Sequence, residues 1–189
     1  ETVDRLGLIF PPNNKDACVF PRKINGQWVM LHRPVSGDAE HMWLAYSPDL
    51  HHWGGHKYVL LESSGPRWDA TRIGAGTVPI ETEEGWVIIY HGVKYLAGSP
   101  IYRAGAALLD RDRPDRVIAR LPYWILGPQE PYEMMGDAPN VVFPTGVLRN
   151  GDNLDVYYGA ADSRVCLASV NERRLLEALL RDGVPPQFV

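Results

Sequence analysis

The chain has no apolar run long enough to enter a bilayer. Its longest stretch free of Asp, Glu, Lys and Arg is Ala138–Leu148, eleven residues interrupted by prolines, whereas a membrane helix takes about 20. Cysteine is nearly absent. Cys18 and Cys166 are the two in 189 residues, too few for a disulfide framework and without Cys-x-x-Cys spacing. They read as free thiols and point weakly to a reducing, cytoplasmic compartment. Charge of one sign is missing too: 19 basic and 23 acidic residues are interspersed, for a net charge of −4. With no basic stripe, neither a nucleic acid nor a membrane is an expected partner. No signal-peptide pattern is present, and the chain opens on Glu1 rather than Met, so the reading allows for sequence upstream.

What is present is a strand-rich texture. A hydrophobic fraction of 45% with 22% charged residues excludes a disordered chain, and 18 glycines with 16 prolines signal many turns. Short β-branched and aromatic runs recur at Gln27–Leu31, Trp86–Tyr90, Tyr102–Leu109 and Leu154–Tyr158. Asn25-Gly26, Glu84-Gly85 and Asn150-Gly151-Asp152 sit where hairpin turns belong, because Asn and Gly accept positive φ at little cost. Helix signals wait until residues 171–182. There Asn171 can cap a segment whose Leu175, Leu176, Leu179 and Leu180 fall on one face, with Gly183 as its stop. The chain reads as one all-β domain over residues 1–189 with a C-terminal amphipathic helix.

Internal similarity sharpens the fold class. Val19-Phe20-Pro21, Val78-Pro79-Ile80 and Val142-Phe143-Pro144 each precede a turn and an aromatic strand, and the strands end in Leu31-His32-Arg33, Tyr90-His91-Gly92 and Tyr158-Gly159-Ala160. The prolines lie 58 and then 65 residues apart, room for about four strands each, the size of a propeller blade. A β-sandwich with similar hairpins is the alternative. In a propeller the proline-bearing strand openings and the His or Tyr strand ends would line the central channel. Propellers close with about 4–8 blades, so about three blades leave the ring open. Two chains shielding each other's open blade edges is then an expectation of a homo-oligomer.

Several motifs in order resemble glycoside hydrolase family 130, the β-mannoside phosphorylases and β-mannosidases. They are Trp68-Asp69-Ala70-Thr71-Arg72-Ile73-Gly74-Ala75-Gly76, Gly85-Trp86-Val87-Ile88-Ile89-Tyr90-His91-Gly92-Val93 and Tyr102-Arg103-Ala104-Gly105. Asn140-Val141-Val142-Phe143-Pro144 and Tyr157-Tyr158-Gly159-Ala160-Ala161-Asp162 complete the set. The resemblance runs from about Lys15 to Val170 and implies a five-bladed propeller, of which this chain carries the C-terminal three blades. It implies cleavage of β-mannosides by inorganic phosphate to give mannose 1-phosphate, or by water in the hydrolytic branch. No metal and no organic cofactor is implied, only phosphate as co-substrate. The Asp that acts as the family's general acid has no counterpart in the chain, so no catalytic residue is identified. The alternative reading is a non-catalytic carbohydrate-binding or assembly module.

The resemblance places Arg72, His91 and Tyr102 at phosphate-holding positions. Lys15 is a fourth candidate, and Asp16 and Arg33 stand beside it as substrate contacts. Arg72 departs from the usual Lys of the pattern, and arginine grips phosphate differently from lysine. Asp162 resembles a sugar-binding Asp, since a carboxylate accepts hydrogen bonds from two adjacent hydroxyls. Phe143 can offer a ring to a sugar face. Each has a plainer alternative: Arg72 paired with a neighbouring carboxylate, His91 as a core histidine, Tyr102 and Phe143 as packing, Lys15–Asp16 as a turn pair, Asp162 as a turn cap. Ser47-Pro48-Asp49-Leu50-His51-His52-Trp53 reads as a structural turn fixed by Asp49, with Trp53 packing between strands. The four histidines in 41–56 match no standard zinc spacing, so no metal is expected.

Overall fold

A computed structural model describes residues 2–35, 40–61, 63 and 65–184. Among these residues twelve strands form three antiparallel sheets. The first sheet holds β1 (Asn14–Val19), β2 (Trp28–Pro34), β3 (Met42–Ser47) and β4 (Gly54–Leu60), in that order. The second holds β5 (Arg72–Ala75), β6 (Ile80–Glu81), β7 (Trp86–Leu96), β8 (Ser99–Leu109) and β9 (Val117–Arg120). Here β5 and β6 both pair with β7, so they are two pieces of one interrupted inner strand. After α1 (Pro131–Met134), the third sheet is β10 (Val142–Asn150), β11 (Asn153–Ala160) and β12 (Arg164–Asn171), and α2 (Glu172–Asp182) closes the described chain.

These meanders are propeller-like blades, and the second is the filling between the other two. Phe20, Val29, Leu31 and Leu44 of the first blade share a core with Ile73, Trp86, Ile88 and Tyr90 of the second. The opposite face of the second blade, with Val87, Ile89, Ala106 and Leu108, packs against Leu154 and Val156 of the third and against Leu175 and Leu179 of α2. Burial on both faces explains why Trp86–Val93 is apolar almost without alternation. Asn25-Gly26 forms the expected tight turn, with φ of 49° and 80° between the paired Ile24 and Gln27. Asn171 caps α2 by accepting from the Arg174 N–H at 3.1 Å, and Gly183 ends it. Leu180, expected on the buried face, is instead 56% exposed.

The repeat alignment needs one correction. Pro21 and Pro79 mark the turn entering β2 and β7, the end of each blade away from His32-Arg33 and His91. Pro144 sits near the start of its inner strand and pairs with Tyr158 at the end of β11. The first two repeats are equivalent and the third is out of register with them. What faces the strand ends in the first two blades is therefore Lys15-Asp16 and Arg72-Gly74, not the prolines.

The Trp68-Asp69 motif is a bolt through the second blade. The Trp68 ring lies where a Cβ on Gly92 or Gly105 would meet it at 2.5–2.6 Å. Asp69 Oδ2 accepts from Arg120 Nη2 at 2.5 Å and from the Tyr90 hydroxyl at 3.0 Å, and Arg120 Nε donates to the same hydroxyl at 3.0 Å. All three are buried, so their charges and hydroxyl depend on one another for partners. Burial pushes the Tyr90 phenol well above its ordinary range.

Candidate active site

At the seam between the first two blades, five ionisable side chains form a chain of alternating character. His91 Nε2 lies 3.6 Å from Asp16 Oδ2, and the same oxygen lies 2.7 Å from Arg33 Nε. Arg33 Nη1 contacts Glu40 Oε2, and Glu40 Oε1 lies 3.5 Å from Arg72 Nε. Local structure explains the meeting. β1 breaks register with β2 between Lys15 and Cys18, and Asp16, the residue after Lys15, adopts φ 54°. That bulge tips the carboxylate towards the second blade. Opposite it stands Gly74, where a Cβ would lie 2.2 Å from Asp16 Oδ2 and 2.6 Å from His91 Cε1. Glycine is required there for close approach, not for its φ.

The electrostatics follow from burial. His91 is 1% exposed, and desolvation, aided by the Arg33 and Arg72 charges, pushes its pKa down to about 3 against the pull of its hydrogen bond to Ala75. Nδ1 lies 3.1 Å from the Ala75 carbonyl, an acceptor, so Nδ1 carries the proton and Nε2 is a lone pair. The His91–Asp16 approach is therefore a contact between a neutral imidazole and a carboxyl, not an ion pair. Burial raises the Asp16 pKa; Arg33 opposes this and the Glu40 charge adds to it. Among the described residues, four buried side-chain polar atoms lack a hydrogen-bond partner, and three are here: Asp16 Oδ2, Arg33 Nε and Arg72 Nε. Although Asp16 and Arg33 are at ion-pair distance, the N–H is poorly directed at the oxygen.

Above His91 is an aromatic group drawn from the second and third blades. The Phe143 ring lies 4.3 Å from the imidazole and Tyr102 lies 6.1 Å from it, with 6.4 Å between Tyr102 and Phe143. Tyr102 also stitches the blades together, donating its backbone N–H to Asn140 at 3.0 Å and bridging to Val141. Val141 in turn accepts from Ala161 at 3.0 Å. The exposed Asp162, at φ 51° in the β11–β12 turn, is thus carried near Tyr102. Among the described residues no hydrogen bond or ion pair joins Asp162 to the charged chain, and Lys15 stands exposed at its edge, opposite Arg33 in the ladder.

The structure thus brings together Asp16, Arg33, Arg72 and His91, sets Tyr102 and Phe143 over them, and leaves Lys15 and Asp162 at the margin. The plainer alternatives also hold in part: Arg72 has its carboxylate neighbour, and His91 is buried like a core histidine. Glu40 was missed. It carries no motif, and its only sequence signal is the need of Arg33 and Arg72 for counter-charge. Asp49 fixes the Ser47–Trp53 turn as expected, its Oδ1 accepting from the His51 and His52 N–H groups, each at 2.9 Å. Trp53 donates to the Leu50 carbonyl at 2.9 Å and faces Phe10.

Comparison with known proteins agrees with this arrangement of blades and motifs. A sequence model of glycoside hydrolase family 130, described as beta-1,4-mannooligosaccharide phosphorylase, matches residues 5–181. The chain belongs to that family. It is 42% identical over 168 residues to a beta-1,4-mannooligosaccharide phosphorylase of Ruminococcus albus, covering 84% of this chain and 48% of the relative. It is 41% identical over 181 residues to a beta-1,2-mannobiose phosphorylase of Listeria innocua, covering 95% and 50%. The solved structure of the Listeria innocua enzyme in complex with beta-1,2-mannobiose superposes with a TM-score of 0.86 over 93% of this chain and 49% of that one. A further structure, with TM-score 0.73 and 27% identity over 84% and 49% of the two chains, is described as a family 130 glycoside hydrolase targeting beta-1,2 mannosidic linkages in Candida mannan. The chain spans about half the length of the relatives it matches.

Proposed function

We propose that this chain carries the phosphate-holding side of a β-mannoside phosphorylase. The observation that supports it most is the gathering of Arg33 and Arg72 at one seam, with buried nitrogen and oxygen atoms that lack hydrogen-bond partners. Guanidiniums partly withdrawn from water stabilise an anion held beside an electron-poor carbon. In phosphorolysis a phosphate oxygen attacks the anomeric carbon from the face opposite the leaving sugar. The new C1–O–P linkage forms as the glycosidic C1–O bond breaks, and a carboxylic acid not assigned among these residues protonates the departing oxygen. Phosphate is the nucleophile, so the second carboxylate of an ordinary inverting glycosidase is not needed.

The roles follow from chemistry. Arg33 and Arg72 supply positive charge, with Lys15 at the rim. His91, neutral with Nε2 unprotonated, accepts a hydrogen bond from a phosphate hydroxyl rather than donating one. The Tyr102 hydroxyl donates to phosphate, Phe143 offers a ring to the mannose, and Asp162 accepts from sugar hydroxyls. Asp16 orients Arg33 and acts on substrate through it. The test is incubation of the chain with β-mannobiose and mannosyl-glucose, with and without phosphate. Any cleavage is expected to depend on phosphate and to give mannose 1-phosphate, the general acid having to come from outside these residues. Free mannose released independently of phosphate overturns the phosphorylase reading, and no cleavage under either condition favours the non-catalytic module or an inactive fragment.

A further inference from the structure

We propose that Glu40 is the positioning residue of this anion site, matched to an arginine rather than a lysine at position 72. The inference rests on the phosphate-binding reading above. Glu40 precedes β3, and its backbone is tied to the second blade because the Ile73 N–H donates to the Glu40 carbonyl at 3.1 Å. The carboxylate is thereby fixed beside Arg72 through its immediate neighbour in β5. One oxygen contacts Arg33 Nη1 and the other lies 3.5 Å from Arg72 Nε. Two guanidiniums brought to one half-buried place repel each other, and a carboxylate between them holds them side by side.

The edge that Glu40 engages decides what remains for a ligand. A guanidinium has a side edge that includes Nε and an end edge of two terminal nitrogens, and either can grip an oxyanion bidentately. Glu40 comes closest to Arg72 at Nε, which leaves the end edge of Nη1 and Nη2 as the one a ligand would grip. Glu40 thereby separates the structural contact of Arg72 from its ligand contact. Lysine has one ammonium, which would have to divide itself between Glu40 and phosphate. Glu40 is useful to the extent that residue 72 is arginine.

Charge alone predicts the opposite. Removing the negative charge of Glu40 leaves the cluster more positive, so a carboxylate that merely competed with phosphate would be replaced with a gain in affinity. A positioning carboxylate is replaced with a loss. The test is calorimetric titration of inorganic phosphate into the 189-residue chain and into Glu40→Gln, Arg72→Lys and the double variant. The expected result is phosphate binding about tenfold weaker in Glu40→Gln, and an effect of Glu40→Gln within about twofold once residue 72 is lysine, the non-additivity of a coupled pair. Glu40→Asp keeps the charge but is too short to serve both guanidiniums, and is expected to weaken binding as well, covering the case in which Glu40→Gln does not fold. Unchanged or tighter phosphate binding by Glu40→Gln, or an equal loss in both backgrounds, overturns the role of Glu40. Phosphate binding by none of the four proteins overturns the phosphorylase reading itself, and the inference with it.

Discussion

Asp16 and His91 meet across two blades, carboxyl Oδ2 to imidazole Nε2 at 3.6 Å, in a space that exists because residue 74 has no side chain. The carboxylate could swing aside from a methyl group at that position. The imidazole could not, since it is bonded to Ala75 below and covered by Phe143 above. Gly74→Ala is therefore expected to destabilise the chain by about 1–3 kcal/mol, the usual cost of overfilling a packed site. A thermal melt measures this, and a phosphate titration should show weaker binding in the same variant.

Mild acid should weaken the fold. Burial lowers His91 to about 3 and His32, beside the His56 charge, to about 4, from an ordinary 6.5. Between those values the unfolded chain binds protons that the folded chain refuses, so stability falls as pH drops below about 6.5. Each histidine contributes a slope of up to about 1.4 kcal/mol per pH unit. The raised Asp16 acts in the other direction, favouring the folded form at low pH and losing that contribution as pH rises. Urea unfolding at about pH 7 and about pH 5 should show the net loss, and His91→Gln should reduce its slope.

Asp69 is expected to be structural although it shares a motif with Arg72. Asp69→Ala leaves Arg120, with 9% side-chain exposure, without its counter-charge, at a cost of about 3–5 kcal/mol. Replacing both partners, as Asp69→Ala with Arg120→Met, should recover part of the loss, and denaturant midpoints of the two variants decide it. Equal midpoints would mean that the pair is not the source of the stability.

Phe143 is the roof of His91, 4.3 Å from its ring. Phe143→Ala should admit water, relieve the desolvation that holds His91 near 3, and move its titration upward by about one unit or more. Imidazole proton shifts followed by NMR from about pH 2 to 7 report this directly. An unmoved titration would assign the low value to Arg33 and Arg72 instead.

Blade count, hairpin turns and the helix cap were legible in the sequence because each depends on local rules. Asn25-Gly26 needs positive φ, Asn171 needs a free N–H to accept, and the Trp86–Val93 run needs two covered faces. The third repeat misled because proline looks the same at the start of a strand and at its end; only pairing distinguishes Pro144 from Pro21 and Pro79. Leu180 belongs by spacing to the apolar face of Leu175 and Leu179, yet is exposed. At the site, the resemblance picked out Asp16, Arg33, Arg72 and His91 as candidates, but neither Glu40 nor the order in which they meet. That Arg33 and Arg72 share Glu40 arises from two strands and a loop whose proximity no local pattern records.

The charged chain crosses the seam twice, once from His91 to Asp16 and again from Glu40 to Arg72. Its two rungs therefore act as a gauge of the gap between the first two blades. If the blades part by as little as one ångström, both rungs stretch together and the guanidiniums separate, while each sheet stays intact. On the proposed function, affinity for an anion at this seam would measure how tightly two neighbouring blades are pressed together. A remote change that loosens their shared apolar core, for instance at the Phe20–Trp86 edge-to-face contact at 5.1 Å, should be felt at the site without touching it.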